Sequence, residues 1–242
     1  MSTPVLILTH APWEGPGLIA RALDAAKVPY IQRSIVDGTG PELPPLSSLA
    51  GLVLMGGPMD ADDVAAFPGL AREADLVRDA VGRSLPVLGI CLGHQIIALA
   101  LGAALAAGAT CEIGLGPVES LDPLLDGLGR TPVVHWHTDN AGLPAGAQLL
   151  ARTPGCPNQA FRAGSALGIQ FHLELDAELL RSWLDDGGMA AELDGTTAAE
   201  LLDGFRASAP ERTRAALAVF AGFARAVTEQ FVPSEPDRPI GL

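Results

Sequence analysis

The sequence predicts an α/β fold in three layers, in which a mostly parallel sheet is covered by helices on both faces. Short, nearly continuous apolar runs recur along the first 171 residues, and helical patterns separate the early runs in the order β-α-β-β-α-β-α. Parallel strands that are buried on both faces have such uninterrupted apolar runs, because neither face of the sheet meets water. The 242 residues suffice for one large domain with a helical appendage.

Seven apolar runs are the strand candidates, and three amphipathic segments between the early runs are the helix candidates. In chain order the strands are Val5–Thr9, Tyr30–Ser34, Gly51–Met55, Pro86–Ile90, Val133–Trp136, Gln148–Ala151 and Ala166–Phe171, and the helices are Gly17–Lys27, Leu70–Arg83 and Leu92–Leu101. After Glu174, residues 176–186 and 197–231 have helical patterns, interrupted by Gly187–Gly188 and Gly195. We therefore expect an α/β domain over residues 1–186, a helical extension over residues 187–232 packed on it, and a tail over residues 233–242.

Composition excludes several classes of function. Twenty-eight acidic side chains stand against fifteen basic ones, and a net charge of -13 repels a phosphate backbone, so no nucleic-acid partner is expected. No apolar run reaches the ~18–20 residues that a membrane span needs, and no basic segment precedes the first apolar run. We expect a cytoplasmic protein with no membrane partner. Its three cysteines, Cys91, Cys111 and Cys156, form no CxxC pair, so each is a free thiol that could be catalytic.

One of these cysteines stands where a predicted strand becomes a predicted helix. Cys91 is the centre of Gly89-Ile90-Cys91-Leu92-Gly93, a G-x-C-x-G pattern typical of a nucleophile elbow. Such a turn displays the thiol at a helix N-terminus, whose dipole favours the thiolate, and the N–H of Leu92 could bind an oxyanion. A core cysteine between packing glycines explains these five residues equally well.

A second pattern, far along the chain, favours the nucleophile. His172 and Glu174 are two residues apart at the end of an apolar run, so a strand would place both on one face. The carboxylate could then hold the imidazole while the other ring nitrogen meets the thiol of Cys91. Met55-Gly56-Gly57-Pro58 follows the preceding strand, and a backbone N–H of this turn could be a second oxyanion donor.

Together, the segments GICLGHQ, GIQFHLE and MGGP resemble the three signatures of class I (triad-type) glutamine amidotransferase domains. The resemblance covers roughly residues 4–185, is nearest to stand-alone GMP-synthetase-like amidotransferases, and implies a flavodoxin-like fold. It implies that Cys91 is the nucleophile, His172 the general base and acid, and Glu174 its orienter. The N–H groups of Gly57 and Leu92 would form the oxyanion hole. The residues that the resemblance implies for substrate binding are Gln95, Trp136, His137, Thr138 and Asp139.

Two positions depart from the family's pattern. The usual F-H-P-E is Phe171-His172-Leu173-Glu174 in this chain, and the usual glycine of the substrate loop is Thr138. Neither change removes a reacting group. The side chain of Thr138 could, however, crowd the glutamine pocket.

The resemblance implies hydrolysis of the glutamine side-chain amide through a cysteine thioester, without a metal or another cofactor. The sequence contains no P-loop and no ATP-binding synthetase domain, so the ammonia would pass to a separate synthetase partner or to another acceptor. Two alternatives remain open. The same triad could serve a γ-glutamyl peptidase or hydrolase, or the chain could be a catalytically silent binding or regulatory subunit.

One further motif suggests metal chemistry. His135-Trp136-His137-Thr138-Asp139 is H-x-H-x-D, the opening of a metallo-β-lactamase-type metal site. That site needs a further histidine directly afterwards, where this chain has Asn140, and more ligands downstream, where only His172 remains. The sequence therefore predicts no metal site.

Overall fold

The computed structural model describes residues 3–39, 42–185 and 187–229, and these form the predicted α/β architecture. The strands are β1 (Val5–Leu8), β2 (Tyr30–Arg33), β3 (Gly51–Leu54), β4 (Val87–Ile90), β5 (Leu105–Ala106), β6 (Glu112–Gly116), β7 (Glu119–Ser120), β8 (Val133–His137), β9 (Asn140–Ala141), β10 (Gln148–Arg152), β11 (Ala160–Ala163) and β12 (Ala166–Ile169). The helices are α1 (Gly17–Ala25), α2 (Gly69–Gly82), α3 (Leu92–Ala100), α4 (Ala177–Asp185), α5 (Gly187–Ala191), α6 (Ala198–Ala207) and α7 (Ala209–Glu229).

Eight strands form the large sheet, in the order β2-β1-β3-β4-β12-β11-β10-β7. The first five are parallel, and the last three continue the sheet with antiparallel pairings. The predicted mostly parallel sheet is therefore confirmed. The apolar run at Val133–Trp136, by contrast, forms β8, which pairs with β6 in a separate antiparallel ladder.

The side chains of β1 show how the three layers arise. Val5 and Ile7 belong to one apolar cluster with residues of α1 and α7, whereas Leu6 and Leu8 belong to a second cluster with residues of α2 and α3. Successive side chains of a strand point to opposite faces, so an uninterrupted apolar run supplies both layers. The carboxyl ends of β1, β3 and β4 lie at one edge of this sandwich, where the site described below is built.

The C-terminal helices differ from the prediction in two places. The pattern over residues 197–231 contains two helices, α6 and α7, and the break at Ser208 precedes Pro210, which lacks an N–H and favours a first helical turn. Gly187 and Gly188, which were expected to interrupt the helical pattern, are the first two residues of α5. Residues 230–232 of the predicted extension and the predicted tail lie outside the described residues.

The last helix packs on the sheet beside α1. Its buried side chains include Val219, Phe220 and Val227, which lie in the same apolar cluster as the strand residues Val5 and Ile7. Among the described residues, no helix is long and apolar enough to cross a membrane.

Candidate active site

Cys91 lies between the last residue of β4 and the first residue of α3, in a strained backbone conformation. Its φ is +50° and its ψ is −106°, in a region that non-glycine residues rarely adopt. The surrounding chain holds this conformation, since the Cys91 N–H donates to the Ile169 carbonyl at 2.8 Å and the Cys91 carbonyl accepts from Gln95 N–H at 3.1 Å. The geometry is that of a strand-to-helix elbow.

The two glycines of the pentapeptide allow this elbow to pack closely. A Cβ on Gly89 would overlap the Gly93 carbonyl, and a Cβ on Gly93 would overlap the Leu54 carbonyl of β3. The Gly93 N–H also donates to the Met55 carbonyl at 3.1 Å. Both positions therefore require glycine for the close approach of backbones, which fixes the start of α3 against β3.

His172 and Glu174 lie beside the elbow, although not within a regular strand. Strand β12 ends at Ile169, and His172 then makes a single antiparallel bridge, donating its N–H to the Val134 carbonyl at 2.8 Å. The His172 Nδ1 is 2.7 Å from Glu174 Oε1, and both side chains are almost fully buried. The Cys91 sulfur interacts electrostatically with the same ring, so the three predicted residues are brought together.

The pKa of His172 is raised well above its usual value. Burial alone lowers this pKa, but the Glu174 carboxylate and the Cys91 sulfur raise it by more. The charged imidazolium is thus the favoured form near neutral pH. Trp183 supports the ring, with its indole edge-to-face against His172 at 4.7 Å and its Nε1–H donated to the Trp13 carbonyl at 2.9 Å.

A second buried histidine fixes the Gly56-Gly57 turn that follows β3. His10 Nδ1 donates to the Gly56 carbonyl at 2.9 Å, and its Nε2 is 2.8 Å from Glu73 Oε2. Burial lowers the pKa of His10, yet the Glu73 carboxylate more than compensates, so the net effect is a raised pKa. In a planar trans peptide the carbonyl and the N–H point in opposite directions. The anchored Gly56 carbonyl therefore turns the Gly57 N–H away from His10.

Sequence reasoning missed Glu73, although a signal was present. It lies three residues after Leu70 and four before Val77, on the buried face of α2, where a carboxylate is unusual.

Sequence reasoning also missed Glu14, in the loop between β1 and α1. Its carboxyl group is buried, lines the same cavity as Cys91 and lies against Gly56, where any Cβ would overlap it. The Oε2 atom has no hydrogen-bond partner among the described residues. Burial raises the pKa of Glu14 to about 7, a shift that nearby His172 opposes and Glu174 supports.

The four predicted residues of the substrate loop line the cavity, but their side chains differ in role. The Trp136 carbonyl is 3.8 Å from Cys91 Sγ, and its indole Nε1–H donates to Glu192 at 2.7 Å. Asp139 accepts from the Gly108 N–H at 2.8 Å, whereas Thr138 is exposed to the cavity. The side chain of His137 points away from the thiol, toward Glu112.

Of the ten predicted site residues, nine line one cavity, and Glu174 lies buried behind His172. The nine are Gly57, Cys91, Leu92, Gln95, Trp136, His137, Thr138, Asp139 and His172. Gln95 is additionally linked to Gln170 by a hydrogen bond of 3.2 Å. The other two cysteines lie elsewhere: Cys111 is exposed, and burial raises the pKa of Cys156 to about 11.

Comparison with known proteins agrees with this geometry. Residues 19–186 match the family model described as glutamine amidotransferase class-I. The glutamine amidotransferase-like protein YfeJ of Salmonella typhimurium is 36% identical over 151 residues, 57% of this chain and 63% of that protein. The GMP synthase [glutamine-hydrolyzing] of Aeropyrum pernix is 36% identical over 179 residues, 69% of this chain and 33% of that enzyme. The chain thus spans less than two thirds of either relative.

A solved structure extends the similarity to the whole fold. The glutamine amidotransferase of Methylobacillus flagellatus superposes with a TM-score of 0.83 at 29% identity, over 93% of this chain and 96% of that one. The family model, the relatives and the fold agree, and this chain belongs to the class I glutamine amidotransferases.

Proposed function

We propose that this chain hydrolyses the side-chain amide of glutamine through a thioester on Cys91. The contact of the Cys91 thiol with the buried His172–Glu174 pair carries the proposal. It supplies a nucleophile, a base and an orienting carboxylate within one group of neighbouring side chains, at the wall of a cavity. The raised pKa of His172 favours the imidazolium beside the Cys91 sulfur, which would attack as the thiolate.

In the first half-reaction the Cys91 sulfur attacks the amide carbon, and the carbonyl oxygen becomes an oxyanion. Two backbone donors are suited to hold it: the N–H of Leu92 in the first turn of α3, and the N–H of Gly57 turned away from His10. The His172 imidazolium then gives its proton to the leaving nitrogen, which departs as ammonia and leaves the γ-glutamyl thioester.

In the second half-reaction, neutral His172 accepts a proton from water, whose oxygen attacks the thioester carbon. Glutamate leaves, and the proton on His172 again faces the Cys91 thiolate. Glu174 holds Nδ1–H, so that Nε2 is the ring nitrogen left to serve the sulfur. Residues 136–139 line the cavity, and their backbone would bind the α-amino and carboxylate groups of glutamine.

The ammonia would pass to a separate synthetase. The Aeropyrum relative is named as a GMP synthase, and the match covers only 33% of it. The remaining chemistry of that enzyme lies outside the matched segment.

The direct test is glutamate release from glutamine by the purified protein, with Cys91→Ser as the inactive variant and Cys111→Ser as the matched control. We expect glutamate and ammonia in equal amounts from the protein with Cys91 intact, and from the Cys111→Ser variant alike. Release from γ-glutamyl peptides but not from glutamine would instead favour the peptidase. Glutamate release that survives Cys91→Ser would contradict the proposal.

A further inference from the structure

Three metal-ligating side chains converge on the face of the β6–β8 ladder. The register pairs Glu112 with His137 and Gly114 with His135, so Glu112, His135 and His137 lie on the same face. Glu112 Oε2 is 3.1 Å from His137 Nε2 and 3.9 Å from His135 Nδ1, and the three ligand atoms all lie within 4.8 Å of one another. Sequence reasoning weighed the two histidines as part of a metal motif but had no reason to join Glu112 to them.

A backbone carbonyl orients the His137 imidazole toward Glu112. The Asp139 carbonyl is 3.1 Å from His137 Nδ1 and can only accept a hydrogen bond, so Nδ1 holds the proton and Nε2 offers a lone pair. His135 Nδ1 lies 3.9 Å from Glu112 Oε2 and has no hydrogen-bond partner among the described residues, so it is the free nitrogen of that ring. Proteins commonly orient metal-binding histidines by a carbonyl on the opposite ring nitrogen.

The convergence of these three side chains leaves more hydrogen-bond acceptors than donors between them. The amide nitrogen of Gln159 donates to Glu112 Oε2 at 2.6 Å and faces His137 Nε2 at 3.3 Å. Among the described residues, His135 Nδ1 and Gln159 Oε1 are buried without a hydrogen-bond partner. Rotation of the Gln159 side-chain amide would turn its oxygen toward Glu112 and the two histidines. One cation between these four side chains would then satisfy all of them.

We propose that Glu112, His135 and His137 bind one divalent transition-metal ion, with Gln159 as an accessory ligand. Two imidazoles favour such an ion over Mg²⁺ or Ca²⁺, which prefer oxygen ligands, and the set of two histidines and a carboxylate suits Zn²⁺. Tetrahedral ligands at about 2.0–2.1 Å from zinc lie roughly 3.4 Å apart. The observed separations of 3.1 and 3.9 Å reach this value with small side-chain movements.

The ion would act on structure and not on the reacting atoms. The imidazoles are nearly inaccessible, and the 21% exposed side chain of Glu112 marks the side from which an ion would enter. The site ties β6 to β8, the strand that leads into the cavity wall at Thr138 and Asp139. Metal binding therefore stiffens the proposed substrate loop, while the Cys91 chemistry needs no metal. The inference stands independently of the proposed function.

The test measures metal content and affinity. Chelator-treated protein is titrated with Zn²⁺ against a competing chromophoric chelator, and with Co²⁺ while its visible absorption is recorded. We expect one ion per chain, a rise in melting temperature on binding, and tetrahedral Co²⁺ bands without a thiolate charge-transfer band. In His135→Gln and Glu112→Gln, the affinity should fall about 100-fold or more.

Cys111 provides the matched control, because it is exposed and directly precedes Glu112. Cys111→Ser should bind Zn²⁺ as tightly as the unmodified chain. Circular dichroism of each metal-free variant establishes that it is folded, and the Co²⁺ spectrum identifies the ligands even if a variant is less stable. Failure to outcompete the chelator, unchanged affinity in both ligand variants, or loss of binding in Cys111→Ser would each overturn the proposal.

Discussion

Strand β8 lies between two histidine–carboxylate groups whose histidine pKa values are shifted in opposite directions. On one edge, the segment with His172 pairs with Val134, and the pKa of His172 is raised well above its usual value. On the other edge, β6 brings Glu112 to His135, whose pKa is lowered to about 4. Burial lowers the pKa of both histidines, so the difference comes from their partners.

The charged partners of each ring decide which of its forms is stable. Glu174 is 2.7 Å from His172, which also faces the Cys91 sulfur, and these two partners together outweigh burial. Glu112 is 3.9 Å from His135 and is shared with His137, so burial prevails. One group thus favours a proton, which acid–base catalysis uses, and the other favours a free lone pair, which a metal ion uses.

The largest effect is predicted for a variant that removes the carboxylate of the His172–Glu174 pair. Glu174→Gln removes the carboxylate that raises the pKa of His172, so burial should lower this pKa and remove the imidazolium near neutral pH. We expect kcat for glutamate release to fall by about 1,000-fold or more. The rate at which iodoacetamide alkylates Cys91 near neutral pH should also fall.

Glu178→Gln, on the exposed face of α4, is the control and should leave both measurements unchanged. A kcat for Glu174→Gln within tenfold of the unmodified protein would show that the carboxylate does not set the charge of His172.

The next effect concerns the Gly56-Gly57 peptide. A His10→Gln/Glu73→Gln double variant removes the charged anchor without leaving one buried charge unpaired. We expect kcat to fall about 10- to 100-fold, because the Gly57 N–H loses its fixed direction toward the oxyanion. Iodoacetamide alkylation of Cys91, which develops no oxyanion in that cavity, should keep its rate. A parallel loss of alkylation would place the defect in the nucleophile instead.

Glu14 provides a pH-dependent test on stability. Its pKa is raised to about 7 in the folded protein, so the folded state holds this proton to higher pH than the unfolded state does. Burying the carboxylate therefore costs stability increasingly as the pH rises from about 4.5 to about 7. Glu14→Gln should stabilise the protein at pH 8 relative to pH 5 by roughly 1–2 kcal/mol, measured by urea unfolding. An equal effect at both pH values would contradict the raised pKa.

The smallest effect is expected in the loop that follows β8. Thr138 is the position at which the sequence resemblance implies glycine, and its exposed side chain lines the cavity. Thr138→Gly should lower the KM for glutamine by about two- to fivefold and leave kcat unchanged, since the side chain touches no reacting atom. A raised KM would mean that the hydroxyl contributes to binding.

The central part of the parallel sheet was predictable because β1, β3 and β4 are buried on both faces. The catalytic candidates follow from the ends of these strands, where Cys91 and His172 stand in recognisable local patterns. The antiparallel part was harder, because β6 contains two glycines and a glutamate, and only its pairing with β8 makes it a strand. The convergence of Glu112 with His135 and the burial of Glu14 depend on contacts between distant segments, which local periodicity does not specify.

The most direct test of the central claim is mass spectrometry of the protein after reaction with a chloroketone analogue of glutamine. We expect a single adduct on the peptide containing Cys91, slowed by added glutamine and absent in Cys91→Ser. Cys111, which is exposed, serves as the internal control for nonspecific alkylation. Labelling of Cys111 in preference to Cys91, or labelling that glutamine does not slow, would contradict the assignment of Cys91 as the nucleophile that attacks glutamine.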